Sequence, residues 1–311
     1  MTETRRDLPS YPAWPTVLIM VLLATVGAFV WGMLSLVGSV AAVASSGPFG
    51  WIVYGPMVTA GFTTAFTLGS VAVPLWALLG GQMFAAAASG RTGRAAADMG
   101  VTLFSETHPI AKVTQRLAEM MGLPPVRYIG WFPGDDINAF AMGNTRANAM
   151  VAMSKGAVER LTKAELIAVI AHELGHIASN DMARMTQARG VQEALTFLLV
   201  FRGLKQFARW VFTPLSELEL LRLSRAREFT ADRIAAIMVG PAPMIAALQK
   251  LQEETLPVQS RGYANVLMRS GFSGGGLLST HPPLSTRISR LEGMLRTREA
   301  TEAQPVAAPA Q

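Results

Sequence analysis

The sequence predicts an α+β protein: an N-terminal hairpin of two transmembrane helices, followed by a mainly helical domain with a small β-sheet. Three observations lead there. Although 15% of the chain is charged, no Asp, Glu, Lys, Arg or His lies between Asp7 and Arg91, a block of 83 residues. From residue 101 the charges return, over a length typical of one domain. Within that stretch, three short extended segments stand between segments whose apolar residues repeat at helical spacing.

In the charge-free block, Thr16 to Val43 is a mostly apolar run, longer than the roughly 20 residues a helix needs to cross a bilayer. It also exceeds a signal-peptide core of roughly 7–15 residues. After the turn-rich "ASSGPFG", a second apolar run extends from Trp51 to about Ala88, with a kink expected at Pro74. Spans over 16–43 and 52–82 therefore make residues 1–100 a membrane anchor. Arg5 and Arg6 flank one side, Arg91 and Arg94 flank the other, and the connecting loop carries no charge. Positive-inside bias puts both ends in the cytoplasm. The net charge of +6 accompanies no basic stripe interleaved with aromatics, so an anionic bilayer surface, and not nucleic acid, is the expected partner. Cysteine is absent, which rules out disulfides and thiolate metal sites.

Residues 101–296 are expected to form the second domain. In "HPIAKVTQRLAEMMG" the residues Ile110, Val113, Leu117 and Met120 have helical spacing, and Gly122 ends the pattern. His108, before Pro109, reads as a cap or surface residue. "VRYIGWF", "INAFAMG" and "NAMVAMS" read as a three-strand meander with turns at Pro133-Gly134 and Gly143-Asn144. Thr162 followed by Glu165 is a capping-box signature, and it opens the helix that carries "AHELGHIASND".

On that helix His172 and His176 stand four residues apart, so both rings can reach one point. Glu173, turned by about 100° from His172, can reach a water at a metal without ligating the metal. His-Glu-x-x-His in this setting holds zinc and places a general base. Gly175 in mid-helix implies a close backbone approach. A catalytic zinc needs a third protein ligand, and "LSRAREFTAD" offers Glu228, with Asp232 four residues on to orient a histidine. The same pair, beside Arg225, Arg227 and Arg233, also reads as a surface ion-pair cluster.

"HELGH" with Asp181 after it, "SRAREFTAD" and "STHPPLSTRISRL", together with the earlier "INAFAMG", resemble the HtpX-like membrane zinc metalloproteases, a family that also contains the CAAX prenyl proteases. The resemblance covers about residues 105–295. It implies a zincin-type metalloprotease domain with one Zn2+ per chain, held by His172, His176 and Glu228, with Glu173 as catalytic base. It implies Asn138 and His281 at the scissile carbonyl with Arg287 nearby, and Asp232 behind a zinc-bound histidine. It further implies protein or peptide substrates, probed as membrane or misfolded proteins in quality control, in a bacterial inner membrane with the catalytic domain cytoplasmic. The alternatives are a CAAX-type processing protease and a non-catalytic zinc-containing membrane scaffold.

One segment departs from the family pattern. Larger members place two further spans between the zinc helix and the third ligand, whereas "EALTFLLVFRGLKQFARWVFTPL" is interrupted by Arg202, Lys205 and Arg209. It reads as an amphipathic helix, either on the membrane surface or packed on the protease domain. "SGFSGGGLLS" (270–279) reads as a mobile loop, and residues 297–311 as a disordered tail.

Overall fold

The computed structural model describes residues 8–9, 11–89, 100–201, 204–254 and 282–302. The Gly-rich segment 270–279 and His281 lie outside the described residues. In chain order, α1 (Trp14–Ser45) and α2 (Gly47–Ser89) precede β1 (Thr102–Leu103), α3 (Pro109–Met120), β2 (Tyr128–Phe132), β3 (Ala139–Thr145) and β4 (Asn148–Ser154). There follow α4 (Lys155–Arg160), α5 (Lys163–Ala178), α6 (Asp181–Phe201), α7 (Thr213–Val239), α8 (Pro241–Glu254) and α9 (Leu284–Glu302). The fold is α+β and mainly helical, as expected. It forms two compact units: Met1–Tyr11 with Ser89–Arg184 and Leu221–Gln311, and Pro12–Ala88 with Met185–Leu220.

In the first unit the sheet order is β1-β2-β4-β3. β2 pairs parallel with β4, while β1 with β2 and β3 with β4 are antiparallel. The expected meander is thus corrected: β4, not β3, neighbours β2, and a fourth strand, β1, lies at the far edge. The reason lies in "NAMVAMS", whose residues after Asn148 are all buried. A strand apolar on both faces takes a central position, which leaves β3 at the edge. The hairpin turn also differs, since Thr145 pairs with Asn148 and Gly143 falls at a register shift inside β3.

The helix signals hold. The His108 side chain caps α3 by accepting from the Ile110 N–H. Gly122, at φ 67°, ends it: Leu123 N–H bonds to Ala118 O and Gly122 N–H to Glu119 O, the paired bonds of a Schellman motif. Thr162 and Glu165 form the reciprocal capping box of α5, an N-cap worth about 1 kcal/mol. Lys250 on α8 adds a 2.7 Å ion pair to Glu165. Leu166, Val169, Ile170, Leu174 and Ile177 of α5 join the core shared with β4, α7, α8 and α9. At the far end of the unit, α9 runs through 297–302 to Glu302. This corrects the expected start of the tail, because Thr297 to Glu302 contain no helix breaker and Thr297 Oγ1 bonds to Gly293 O within the helix.

In the second unit, α1 is long and apolar enough to cross a membrane, with mean hydropathy 2.5 in its most apolar window. Among the described residues of α2, the corresponding apolar stretch is shorter, Val71–Phe84. α2 continues through Pro56 and Pro74, and it opens on Gly47, at φ 78°, with Ser46 between it and α1. Residues 191–201 and 204–212 settle here against the two N-terminal helices. The Trp76 indole donates to Ala194 O at 2.7 Å and its ring stacks on Phe197. A side chain at Gly81 would meet Val191, and one at Gly27 would collide with the Phe207 ring. Glycines on α1 and α2 provide the flat surface that close helix packing in apolar surroundings requires. Lying on the membrane surface or packing on the protease domain, the two expected alternatives, both left out this partner. A short helical stretch, Lys205–Phe207, and one π-helical turn, Ala208–Phe212, lead from there into α7.

Candidate metal centre

Two helices of the first unit converge on one point. His172 and His176 come from α5, Glu228 from α7, and all three side chains are buried. The two Nε2 atoms lie 3.2 Å apart. Glu228 sits 3.7 Å from each, Oε2 towards His172 and Oε1 towards His176. Ligand atoms about 2.0–2.1 Å from a tetrahedral zinc stand about 3.3 Å from one another, so the donor set and its spacing fit that ion. The approach of α7 to α5 explains Gly175, where an added Cβ would lie 3.2 Å from the Ala231 Cα.

Each imidazole has a carboxylate behind it. His172 Nδ1 lies 2.9 Å from Asp232 Oδ1, and His176 Nδ1 lies 2.7 Å from Asp181 Oδ2. A carboxylate at Nδ1 keeps the proton there and leaves Nε2 free to ligate. The first contact was expected; the role of Asp181 was not. α5 ends at Ser179, Asn180 takes the left-handed conformation (φ 55°), and Asp181 opens α6. That break turns Asp181 back onto His176. Asparagine tolerates the conformation, so "SND" after the second histidine is the signal that could have found it.

The carboxylates are held in turn. Arg287, on α9, is fully buried and donates to Asp232 from Nε at 2.8 Å and from Nη2 at 2.6 Å. Its Nη1 lies 3.6 Å from Glu228 Oε2 and, among the described residues, has no hydrogen-bond partner. Arg227 donates to Glu228 Oε1 at 3.1 Å. On the other side, the Tyr11 hydroxyl donates to Asp181 Oδ1 at 2.8 Å. Glu173 is 2% exposed and follows His172 on α5.

Charge accounts for the titration of these groups. Around this centre four carboxylates (Glu173, Asp181, Glu228 and Asp232) are buried, with one fully buried guanidinium, Arg287. Burial works against a cation at His172, but the adjoining carboxylates of Asp232 and Glu228 outweigh it and push its pKa up to about 9. Burial also opposes ionisation of Asp232, yet the charge of Arg287 and its hydrogen bonds hold that carboxyl at about 2. A divalent cation at the two Nε2 atoms and Glu228 would neutralise this excess of negative charge.

Asn138 immediately precedes β3. Its N–H donates to Ser154 Oγ, which also accepts from the Ala157 N–H and donates to Asp136 O. The Asn138 side chain is buried, and its Oδ1 has no hydrogen-bond partner among the described residues. The structure therefore brings together His172, His176, Glu228, Asp232 and Arg287. Glu173 stays beside them on α5.

This fold and donor set are those of a helical metallopeptidase scaffold. The chain belongs to peptidase family M48, whose family model matches residues 80–295. It is similar to protease HtpX of Pseudomonas paraeruginosa, 35% identical over 198 residues, a match covering 54% of this chain and 66% of that relative. It is also similar to protease HtpX of Haemophilus ducreyi, 32% identical over 203 residues, covering 58% and 70% respectively. The match to the Pseudomonas relative thus spans just under two thirds of its length. The crystal structure of S. mikatae Ste24p shares the fold, with a TM-score of 0.52 at 18% identity, covering 83% of this chain and 67% of that one.

Proposed function

We propose that this chain is a membrane-bound, zinc-dependent endopeptidase that cleaves membrane or misfolded proteins on the cytoplasmic side, in protein quality control. The observation that carries the reading is the buried His172, His176 and Glu228 cluster, with a carboxylate behind each imidazole. Membership of the family and the HtpX relatives support it.

His172, His176 and Glu228 would hold the ion. When bound, zinc supplies a Lewis acid that acidifies water and polarises a peptide carbonyl. Glu173 accepts the proton of the attacking water and returns it to the leaving amine. Asn138 and His281 donate to the carbonyl oxygen as negative charge develops, each such donor being worth about 2.7–4 kcal/mol; for His281 the support is its sequence motif. Asp232 orients His172. Arg287 works through Asp232 and Glu228 and not on the substrate, a reading supported by its complete burial. Among the described residues β3 ends the sheet, and a terminal strand offers backbone groups to an extended peptide.

Purified in detergent, the chain should contain about one zinc and cleave an unfolded test protein. A chelator should abolish cleavage and added zinc should restore it. Cleavage that survives complete zinc removal would end this reading. Cleavage of a prenylated C-terminal peptide but of no unfolded protein would favour CAAX-type processing, and zinc without any cleavage a scaffold.

The membrane assignment rests on α1 and on the arginines around the charge-free block, and it has its own test. Cysteines placed at Ser10 and Thr297 should resist a membrane-impermeant thiol reagent added to intact cells, whereas one at Ser46 should react. Opposite labelling of Ser10 and Thr297 would place the centre on the other side of the membrane.

A further inference from the structure

We infer that Tyr11 is a positioning residue for the metal centre, acting through Asp181 on His176. Its phenol donates to Asp181 Oδ1 at 2.8 Å, while Asp181 Oδ2 accepts from His176 Nδ1 at 2.7 Å, so the two oxygens of one buried carboxylate are divided between them. The arrangement mirrors the other histidine, where Asp232 lies between His172 and Arg287. Behind His172 the anchor is a guanidinium; behind His176 it is a neutral hydroxyl.

Tyr11 is itself fixed. It is 7% exposed, Arg184 Nη1 donates to its carbonyl oxygen at 2.6 Å, and the Arg184 guanidinium lies 5.2 Å from the centre of its ring. Burial, followed by the neighbouring Asp181 carboxylate, pushes the phenol well above its ordinary range, so it remains a donor. A carboxylate with one oxygen unpaired in a buried site is free to rotate, and the imidazole it holds then loses its fixed direction. Tyr11 lies 170 residues from Asp181, so the short segment before α1 supplies one of the metal centre's supports.

The inference rests on the zinc reading and makes a prediction of its own. Replacing a group that holds a ligating histidine weakens metal binding by about 10–100-fold. Tyr11→Phe, which removes one hydroxyl and keeps the ring, should weaken zinc binding by about 3–10-fold, measured on the full chain in detergent by competition with a chromophoric chelator. The melting temperature of the zinc-free protein should stay nearly unchanged. Asp181→Asn should weaken binding by about 10–100-fold, and adding Tyr11→Phe to it should change nothing further. Tight binding by wild type with an equal Kd for Tyr11→Phe overturns the inference alone. So does an equal loss from Tyr11→Phe with and without Asp181→Asn, because the effect then does not pass through the carboxylate. A wild-type chain that binds no zinc overturns both this inference and the function proposed above.

Discussion

Proteolysis by the Glu173→Gln protein should fall by about 10²–10⁴-fold, the range spanned by general acid–base catalysis, while its zinc content stays at the wild-type level. The two properties separate because Glu173 lies on the ligand helix without belonging to the ligand set. Glutamine has the same shape, so the packing of this 2% exposed side chain is preserved. What disappears is a basic oxygen able to take a proton. Arg287 loses one nearby negative charge, yet its hydrogen bonds run to Asp232, so its position should hold. Parallel turnover and zinc measurements on one preparation decide the matter. A matching fall in zinc would make Glu173 a structural support of the cluster, and wild-type turnover would remove it from proton transfer.

How far the centre is legible in the sequence depends on the distance over which each contact acts. His172, Glu173 and His176 are local, and one helix places them. Glu228 and Asp232 are also four apart, which made a ligand and its orienting partner readable as a pair, although nothing local distinguishes them from a surface ion-pair cluster. Asp181 needed one more fact. Were α5 to continue, five residues would carry Asp181 about 140° around the axis from His176, and only the left-handed Asn180 brings it back. Arg227 was hidden for a related reason: neighbours in a helix do not ordinarily face each other, yet its guanidinium reaches the Glu228 carboxylate. Tyr11 has no local signal at all.

The fold follows the same pattern. The capping box of α5 and the glycine stop of α3 are short-range devices and were readable. The strand order was not. A meander requires only neighbouring turns, whereas the parallel pairing of β2 with β4 is decided by which strand is buried on both faces. The 191–212 segment shows the limit in another form: its cations suggested a surface helix, while its partners are glycines on α1 and α2, more than a hundred residues earlier.

Arg287 separates the two kinds of evidence most sharply, because the family resemblance puts it near the substrate and the structure pairs it with Asp232. Arg287→Met should destabilise the fold by about 3–5 kcal/mol, the cost of removing one partner of a buried ion pair, and zinc content should fall as Asp232 loses its hold on His172. The expected pH dependence follows from the same pair. The folded-state pKa of Asp232 is depressed to about 2, so its ionisation favours the fold above the ordinary carboxylate range. That contribution is lost as pH falls from that range towards about 2. In Arg287→Met the carboxylate stays buried without its guanidinium, the depression should shrink or reverse, and the acid sensitivity from this group should move to higher pH. Arg287→Lys keeps a charge but cannot form the two-pronged contact, and its stability should be intermediate. Urea unfolding of the detergent-solubilised proteins between pH 3 and 7 would measure all three. Were Arg287 instead to act on the substrate, Arg287→Met would unfold like wild type, hold its zinc and lose only turnover.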